Sequence, residues 1–461
     1  MRKNSISIPT NWEALAGFSA GCPCGKTHAV DTRKVVVSDG AIRYVAQVAE
    51  SFLPKPTVGV LADRKTHEIA GAAVSDRLTA SGYSVVLYVV PDGAGERPHA
   101  TAEAVADVER AMHAVQGMVA VGSGTVNDLA KLASFHLGVP YVVVPTAPSM
   151  NGYTSAIAAI MKDGLKQTVD CRQPIAVVAD LDILCRAPRH LIQAGLGDLE
   201  SKPVSTADFL LSSILRGTYY CEAPGAVVAK AEASAAACAE GLGKGDKTAI
   251  GVLTEALLLS GCSMKLAGSS SPASGGEHLI SHYWDMTAEA EGRVEGFHGA
   301  QVGVATIVSA TLYEYLKALS PDAINIERLL ATRRNAAEER EMVVSRHGGV
   351  GESAAAEYMQ KRLENEAYQA ELEYVVAHWN DIWESLYMLK PAREIRSVLL
   401  RAGAAVRVGD VNLTPAHLMN SFIRAREIRG RFTVLDFAAD IGVLEAAAHD
   451  VLTASGCLDT E

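Results

Sequence analysis

Short β-branched runs and amphipathic stretches alternate along the first part of the chain. VVVSD (35–39), PTVGVLAD (56–63), YSVVLYVV (83–90), GMVAVG (117–122) and PYVVVPT (140–146) have the length and composition of buried strands. Between them HEIAGAAVSDRLTASG (67–82) and TAEAVADVERAMHAV (101–115) repeat apolar residues at helical spacing. Strand, helix, strand at this interval predicts a parallel, doubly wound sheet. AIAAIM (156–161), KQTVD (166–170) and IAVVAD (175–180) lie closer together and suggest a small antiparallel addition. After about residue 187 strand patterns disappear. Segments 256–268, 299–319 and 324–345 read as helices, and the mixed charge of 335–375 suggests a solvated helical excursion. The expected architecture is an α/β, Rossmann-like nucleotide-binding domain over 1–187 and an all-helical domain over 188–461, with the active site in the cleft between them.

Composition narrows the class. Of 461 residues 49% are hydrophobic but only 6% aromatic, which suits closely packed alanine- and leucine-rich helices. The net charge of −11 gives no electrostatic reason to expect nucleic acid or an anionic membrane as partner. No uninterrupted apolar run reaches the ~20 residues of a membrane helix, so no membrane insertion is expected. The basic start MRKNSISIPTNWEALAG lacks the apolar core of a secretory signal. Eight scattered cysteines are too few for a disulfide scaffold and point to a reducing cytoplasm.

Two loops carry candidate chemistry. Gly122, Ser123, Gly124 and Thr125 join a strand to a helix, where free N–H groups and the helix dipole suit a diphosphate. Asn127 stands where a third glycine would complete the usual fingerprint, so alone the turn is equally compatible with a plain strand-to-helix connection. The next loop, VPTAPSMNGYTS (144–155), presents Thr146, Ser149, Thr154 and Ser155 at a second strand end. Asp63 closes its own strand where a carboxylate would accept from a ribose hydroxyl, and Arg64 and Lys65 leave a 2′-phosphate open. Asp128, early in the helix after the glycine turn, is counted with these cofactor-binding candidates. In the helical half, His278 and His282 are four apart, His298 follows on the next segment and Asp198 opens the region. A carboxylate with imidazoles suits a divalent ion, although helical His pairs are often packing residues.

The segment VGSGTVNDLAKLASFHLGVPYVVVPTAPSMNGYTS (121–155) resembles the cofactor region of the bacterial-type sn-glycerol-1-phosphate dehydrogenases, within the iron-containing alcohol dehydrogenase and dehydroquinate synthase-like superfamily. The likeness extends from CPCGKTH (22–28) to IRGRFTVLDFAADIGVLE (428–445). It implies that the glycine turn binds the diphosphate of NAD(H) or NADP(H) and that T-A-P-S lines the nicotinamide side. It implies one divalent ion (Zn²⁺ or Ni²⁺, with Fe²⁺ a further candidate) on Asp198, His278 and His298, and a substrate-contacting, proton-relaying His282. The implied reaction is reduction of dihydroxyacetone phosphate to sn-glycerol-1-phosphate, Asp198 and His282 being the catalytic pair and Asn151, Asp198 and His282 facing the substrate. Expected partners are a small phosphorylated substrate and a second copy of the chain.

Two positions depart from the family pattern: Asn151 replaces an Asp assigned to substrate contact, and Ala300 replaces a Glu. Asn can bond a hydroxyl but cannot act as a base. Dehydrogenation of another polyol phosphate or alcohol, a dehydroquinate-synthase-like cyclase, and a degenerate nucleotide-binding paralogue therefore stand as alternatives. Lys202, Arg293, Arg424 and Arg426 are phosphate-binding candidates by position alone. Cys22, Cys24 and His28 offer three soft donors. One residue between the cysteines is short for a zinc knuckle and no second pair lies nearby, so a structured N-terminal loop is preferred.

Overall fold

The computed structural model describes the chain except residues 1–5, 94–95, 163–164, 295 and 459–461. Six parallel strands form the main sheet in the order β3-β10-β7-β6-β4-β5: β3 (Lys34–Ser38), β4 (Thr57–Asp63), β5 (Ser84–Val90), β6 (Gly117–Gly122), β7 (Tyr141–Pro145) and β10 (Ala176–Asp180). Strands β6, β7 and β10 are buried throughout, whereas the edge strands β3 and β5 are largely half-buried or exposed. Continuous apolar runs need cover on both faces, which a central place in a parallel sheet provides. The chain steps from β4 to β5 on one side and returns to β6 on the other. The carboxyl ends of β4 and β6, Asp63 and Gly122, therefore flank the point where winding reverses, the usual ligand crevice of such sheets.

One expectation fails. Only β8 (Ile157–Lys162) and β9 (Leu165–Asp170) form the antiparallel addition, whereas the IAVVAD segment enters the main sheet as β10 between β3 and β7. Its A-V-V-A run has no polar face to leave in water, so close spacing in sequence gives way to burial. A smaller hairpin, β1 (Ser19–Gly21) with β2 (Thr27–Ala29), precedes the sheet.

After Asp180 the described residues form no further strands. The helix Lys247–Ala267 has the length and mean hydropathy, 1.4, of a membrane span, but its most apolar window is 83% buried and it serves as a core helix. The segment read as a solvated excursion is three helices, Ala336–His347, Gly351–Met359 and Asn365–Ala377, with a small core of Val343, Ala354, Ala355 and Tyr358. Arg346 ties it to buried Glu427 at 2.6 Å.

Two helices cross at glycine. The helix Arg189–Glu200 carries Asp198 and the helix His298–Lys317 begins with His298. A Cβ on Gly299 would fall 2.0 Å from the Ala194 carbonyl oxygen, and one on Gly197 would fall 2.3 Å from that of Gly299. Only backbone against backbone brings Asp198 this close to His298. Gly299→Ala must push the helices apart. It should cost about 1–3 kcal/mol of unfolding free energy, the ordinary penalty of overpacking, and weaken divalent-ion binding at Asp198. Denaturant titration with and without Zn²⁺ measures both effects; unchanged stability and unchanged Zn²⁺ stabilisation would contradict the helix-crossing argument.

Candidate active site

Asp198, His278 and His298 converge, with their ligand atoms all within 4.8 Å of one another. Asp198 is fully buried and His278 nearly so, while His298 is half-buried at the start of its helix. The His278 Nε2 lies 3.4 Å from Asp198 Oδ1, and its Nδ1 lies 2.7 Å from the Glu277 carboxylate. A carboxylate accepts, so it fixes the proton on Nδ1 and leaves the Nε2 lone pair for the cluster. His298 makes the corresponding contact through Nδ1 to Ser281 Oγ at 3.3 Å. Burial and then the Lys166 ammonium push the His282 and His298 imidazoles well below their ordinary value, so both are neutral. Burial opposes ionisation of Asp198, yet the Lys202 ammonium, 3.6 Å away, holds its carboxyl well below the usual range. One ionised carboxylate and two imidazoles whose outer nitrogens are engaged by Glu277 and Ser281 fit a divalent ion with a position left open.

His282 stands beside this set. Its ring stacks on His298 at 5.5 Å between centroids, and its buried Nδ1 has no protein partner among the described residues. Trp284, on the same helix (Gly276–Ala290), is fully buried, with Nε1 donating to the His417 carbonyl at 3.4 Å, and packs that helix.

The loop after β7 joins the carboxyl end of the sheet to the histidine cluster. Asn151 donates to both oxygens of Asp198, from its backbone N at 2.8 Å and from Nδ2 at 2.9 Å. The residue that departs from the family pattern thus orients the central carboxylate. The loop itself is held by a residue that the sequence pattern did not single out. Lys131 is fully buried, and its Nζ donates to the Gly152 carbonyl at 2.7 Å, the Ile157 carbonyl at 2.8 Å, Ser155 Oγ at 2.9 Å and Asp128 Oδ1 at 3.3 Å. Asp128 and Ser155, expected at the cofactor, are thus engaged by Lys131. Its signal was a lysine on the apolar face of a helix. Thr154 caps the Leu258 carbonyl from the same loop.

At the crevice, the helix Gly124–His136 starts without any side-chain cap from Ser123, so its first amides face outward unclaimed by a cap. A Cβ on Gly124 would meet only Met150 Cγ at an ordinary 3.6 Å, so nothing in the protein demands glycine there. Space that only a ligand would contest suits a diphosphate. Thr146 and Ser149 are buried in the adjoining loop. Asp63 accepts from the Thr66 backbone N at 2.8 Å through Oδ1, and its Oδ2 has no hydrogen-bond partner among the described residues. Arg64 pairs with Asp92 at 3.1 Å.

The positional phosphate candidates are mostly engaged elsewhere. Lys202 is buried against Ser201 Oγ at 2.9 Å and the Ala273 carbonyl at 3.0 Å. Arg293 pairs with Glu291 at 2.5 Å, and Arg426 faces Asp436 at 3.5 Å in a separate cavity of about 330 Å³ that also contains Arg216 and Lys361. Arg424 stands next to Tyr283. Two guanidiniums missed from the sequence fit better. Arg429 donates to the Lys166 carbonyl and, with Lys166, acts electrostatically on His282. Arg431 donates to the Ser274 carbonyl and Ser270 Oγ; burial and then Arg429 push its guanidinium down to about 10. Among the described residues neither arginine has a carboxylate within ion-pair distance. Arginines crowded together and bonded only to neutral acceptors call for an anion. Their trace in the sequence was R-G-R inside IRGRFTV.

A family profile described as iron-containing alcohol dehydrogenase matches residues 36–188. A glycerol-1-phosphate dehydrogenase [NAD(P)+] of Halalkalibacterium halodurans is 34% identical over 296 residues, covering 64% of this chain and 74% of that protein. The corresponding protein of Geobacillus stearothermophilus is 28% identical over 438 residues, 94% and 99% of the two chains. Among solved structures, an NADH-dependent butanol dehydrogenase of Thermotoga maritima has a TM-score of 0.59 at 14% identity, covering 96% of this chain and 99% of its own. A glycerol dehydrogenase of Schizosaccharomyces pombe has a TM-score of 0.58 at 18% identity, covering 93% and 92%. These structures share the fold of a parallel six-stranded sheet followed by a helical region.

Asn151→Asp sets a second carboxylate 2.9 Å from Asp198 in place of an amide donor. The metal-stripped variant should lose about 1–3 kcal/mol, the penalty of a broken buried hydrogen bond, and regain more than the wild type on adding Zn²⁺. Thermal melting of both proteins with and without Zn²⁺ checks this; equal Zn²⁺-induced shifts would refute the role given to Asn151.

Proposed function

The chain belongs to the glycerol-1-phosphate dehydrogenases of the iron-containing alcohol dehydrogenase superfamily and is an oxidoreductase; from that premise we propose that it reduces dihydroxyacetone phosphate to sn-glycerol-1-phosphate with NADH or NADPH, using a divalent ion. The observation that carries this reading is the Asn151–Asp198 link, which ties the loop beside the nucleotide turn directly to the ligand cluster. The proposed division of labour gives residues 1–187 the nucleotide and residues 188–461 the ion and substrate. Eight unpaired cysteines suit the proposed cytoplasmic setting.

Asp198, His278 and His298 would hold the ion. When bound, the ion supplies Lewis acidity at the substrate ketone and the nicotinamide supplies the hydride. The chain's own residues do the rest. The uncapped amides at Gly124 and Thr125 bind the cofactor diphosphate, and Asp63 Oδ2 accepts from a ribose hydroxyl. Arg429 and Arg431 bind the substrate phosphate and fix the ketone next to His282. His282, neutral and with its buried Nδ1 without a protein partner, relays a proton to the alcohol oxygen as it forms, releasing one from one ring nitrogen as the other takes one up. Glu277 and Ser281 keep the ligand imidazoles in the required tautomers. Asn151, unable to act as a base, serves only to orient Asp198.

The test strips the protein of metal, restores Zn²⁺ or Ni²⁺, and follows NADH and NADPH oxidation with dihydroxyacetone phosphate. Metal-dependent oxidation yielding the sn-1 phosphate is expected; cofactor turnover without net oxidation would indicate a cyclase. Arg431→Ala should raise KM for dihydroxyacetone phosphate about 10- to 100-fold, the worth of a charged hydrogen bond. It should leave kcat/KM for unphosphorylated dihydroxyacetone unchanged. Equal losses on both substrates would remove Arg431 from phosphate binding.

A further inference from the structure

A second cluster of donors shares no residue with the first. Cys22, Cys24, His28 and Cys221 bring three sulfurs and one ring nitrogen within 4.8 Å of one another, although Cys221 lies 193 residues beyond His28. The first three come from the β1–β2 hairpin, whose turn is closed by Gly25 at φ 92° and by the Cys22 N to Lys26 carbonyl bond of 2.9 Å. Cys221 is the residue before the helix Glu222–Ala237. Sequence spacing offered only three donors and a knuckle one residue too short. The fourth donor comes from the tertiary fold.

The distances discriminate between the states open to such a group. Cys22 Sγ lies 3.9 Å from Cys221 Sγ, far beyond the ~2.05 Å of a disulfide. His28 Nε2 lies 3.5 Å from Cys24 Sγ and 3.4 Å from Cys221 Sγ. A regular tetrahedron about zinc, from its usual bond lengths, has edges of about 3.8 Å between sulfurs and about 3.5 Å from sulfur to nitrogen. The Cys22–Cys221 separation matches the first and the two His28 separations match the second. The imidazole is also set for metal binding: His28 Nδ1 donates to the Leu266 carbonyl at 2.6 Å, and a carbonyl can only accept, so the Nε2 lone pair points at the sulfurs. Tyr219 Oη lies 3.5 Å from Cys24 Sγ, placed to donate to a thiolate. His28 and Cys221 are buried and Cys22 and Cys24 half-buried, which leaves a path for a metal to enter.

We propose that Cys22, Cys24, His28 and Cys221 form a tetrahedral Cys₃His zinc site. Four protein ligands leave no open position, so the site is structural. It clamps the N-terminal hairpin to the start of the Glu222–Ala237 helix and, through His28, to the end of the Lys247–Ala267 helix. Thiolates and imidazole select Zn²⁺ over the harder ions that carboxylate sites accept.

The full-length protein, reduced and passed through EDTA, is analysed for zinc by mass spectrometry and then loaded with Co²⁺. One tightly held zinc per chain is expected, persisting in His278→Ala, which removes a ligand of the other cluster. Cys24→Ser and Cys221→Ser should lose it, and Cys221→His, which restores a ligand atom, should regain it if the serine variants fold poorly. The cobalt protein should show a thiolate-to-metal charge-transfer band. Three results would overturn the proposal: zinc absent from the wild type even after reconstitution, a cobalt spectrum without thiolate charge transfer, or a Cys22–Cys221 disulfide in non-reducing peptide maps.

Discussion

The candidate active site depends on one backbone contact, the crossing of the Asp198 helix and the His298 helix at Gly197 and Gly299. No side chain can stand between them, because the carbonyl of Gly299 occupies the place of a Gly197 Cβ and that of Ala194 the place of a Gly299 Cβ. Asp198 and His298 are one hundred residues apart in sequence, and this crossing makes them neighbours. His278 reaches the same point from a third helix, and Asn151 reaches it from the loop after β7.

Charge is arranged around that point with little slack. Buried Asp198 is held ionised by Lys202, and the His282 and His298 imidazoles are neutral through burial and the Lys166 cation. A carboxylate beside imidazoles whose outer nitrogens are held by Glu277 and Ser281 turns lone pairs toward one point, and these suit a cation. On the His282 side the sign reverses: Arg429 and Arg431 are bonded to carbonyls and a hydroxyl rather than carboxylates. A site that offers lone pairs at one end and guanidiniums at the other suits a ketone carrying a phosphate. Lys131 makes the arrangement durable by satisfying four acceptors around the loop that carries Asn151.

The parallel sheet was legible because buried central strands carry unbroken apolar runs and end in turn chemistry. The strand Ala176–Asp180 lies close in sequence to the β8–β9 hairpin, which suggests an antiparallel place, but its lack of a polar face puts it in the main sheet. That Asp198, His278 and His298 converge was legible chiefly through the family resemblance, because helical spacing alone left the histidine pair open to a packing role. Which neighbours fix them was not: Glu277, Ser281 and Lys131 act through contacts that only the tertiary structure creates. Arg429 and Arg431 stand in a segment that carries the resemblance, yet nothing in the sequence marks them as donors, because a guanidinium without a carboxylate partner is visible only once its surroundings are known. Cys221 was hidden for the same reason, one scattered cysteine among eight.

The most direct test is anomalous diffraction from crystals of the full-length protein grown with Zn²⁺ and NADH. The account predicts an anomalous peak coordinated by Asp198, His278 Nε2 and His298 Nε2, with the cofactor diphosphate on the Gly122–Thr125 turn and the nicotinamide directed at the metal. A peak displaced from these three residues, or a nucleotide bound away from that turn, would contradict it.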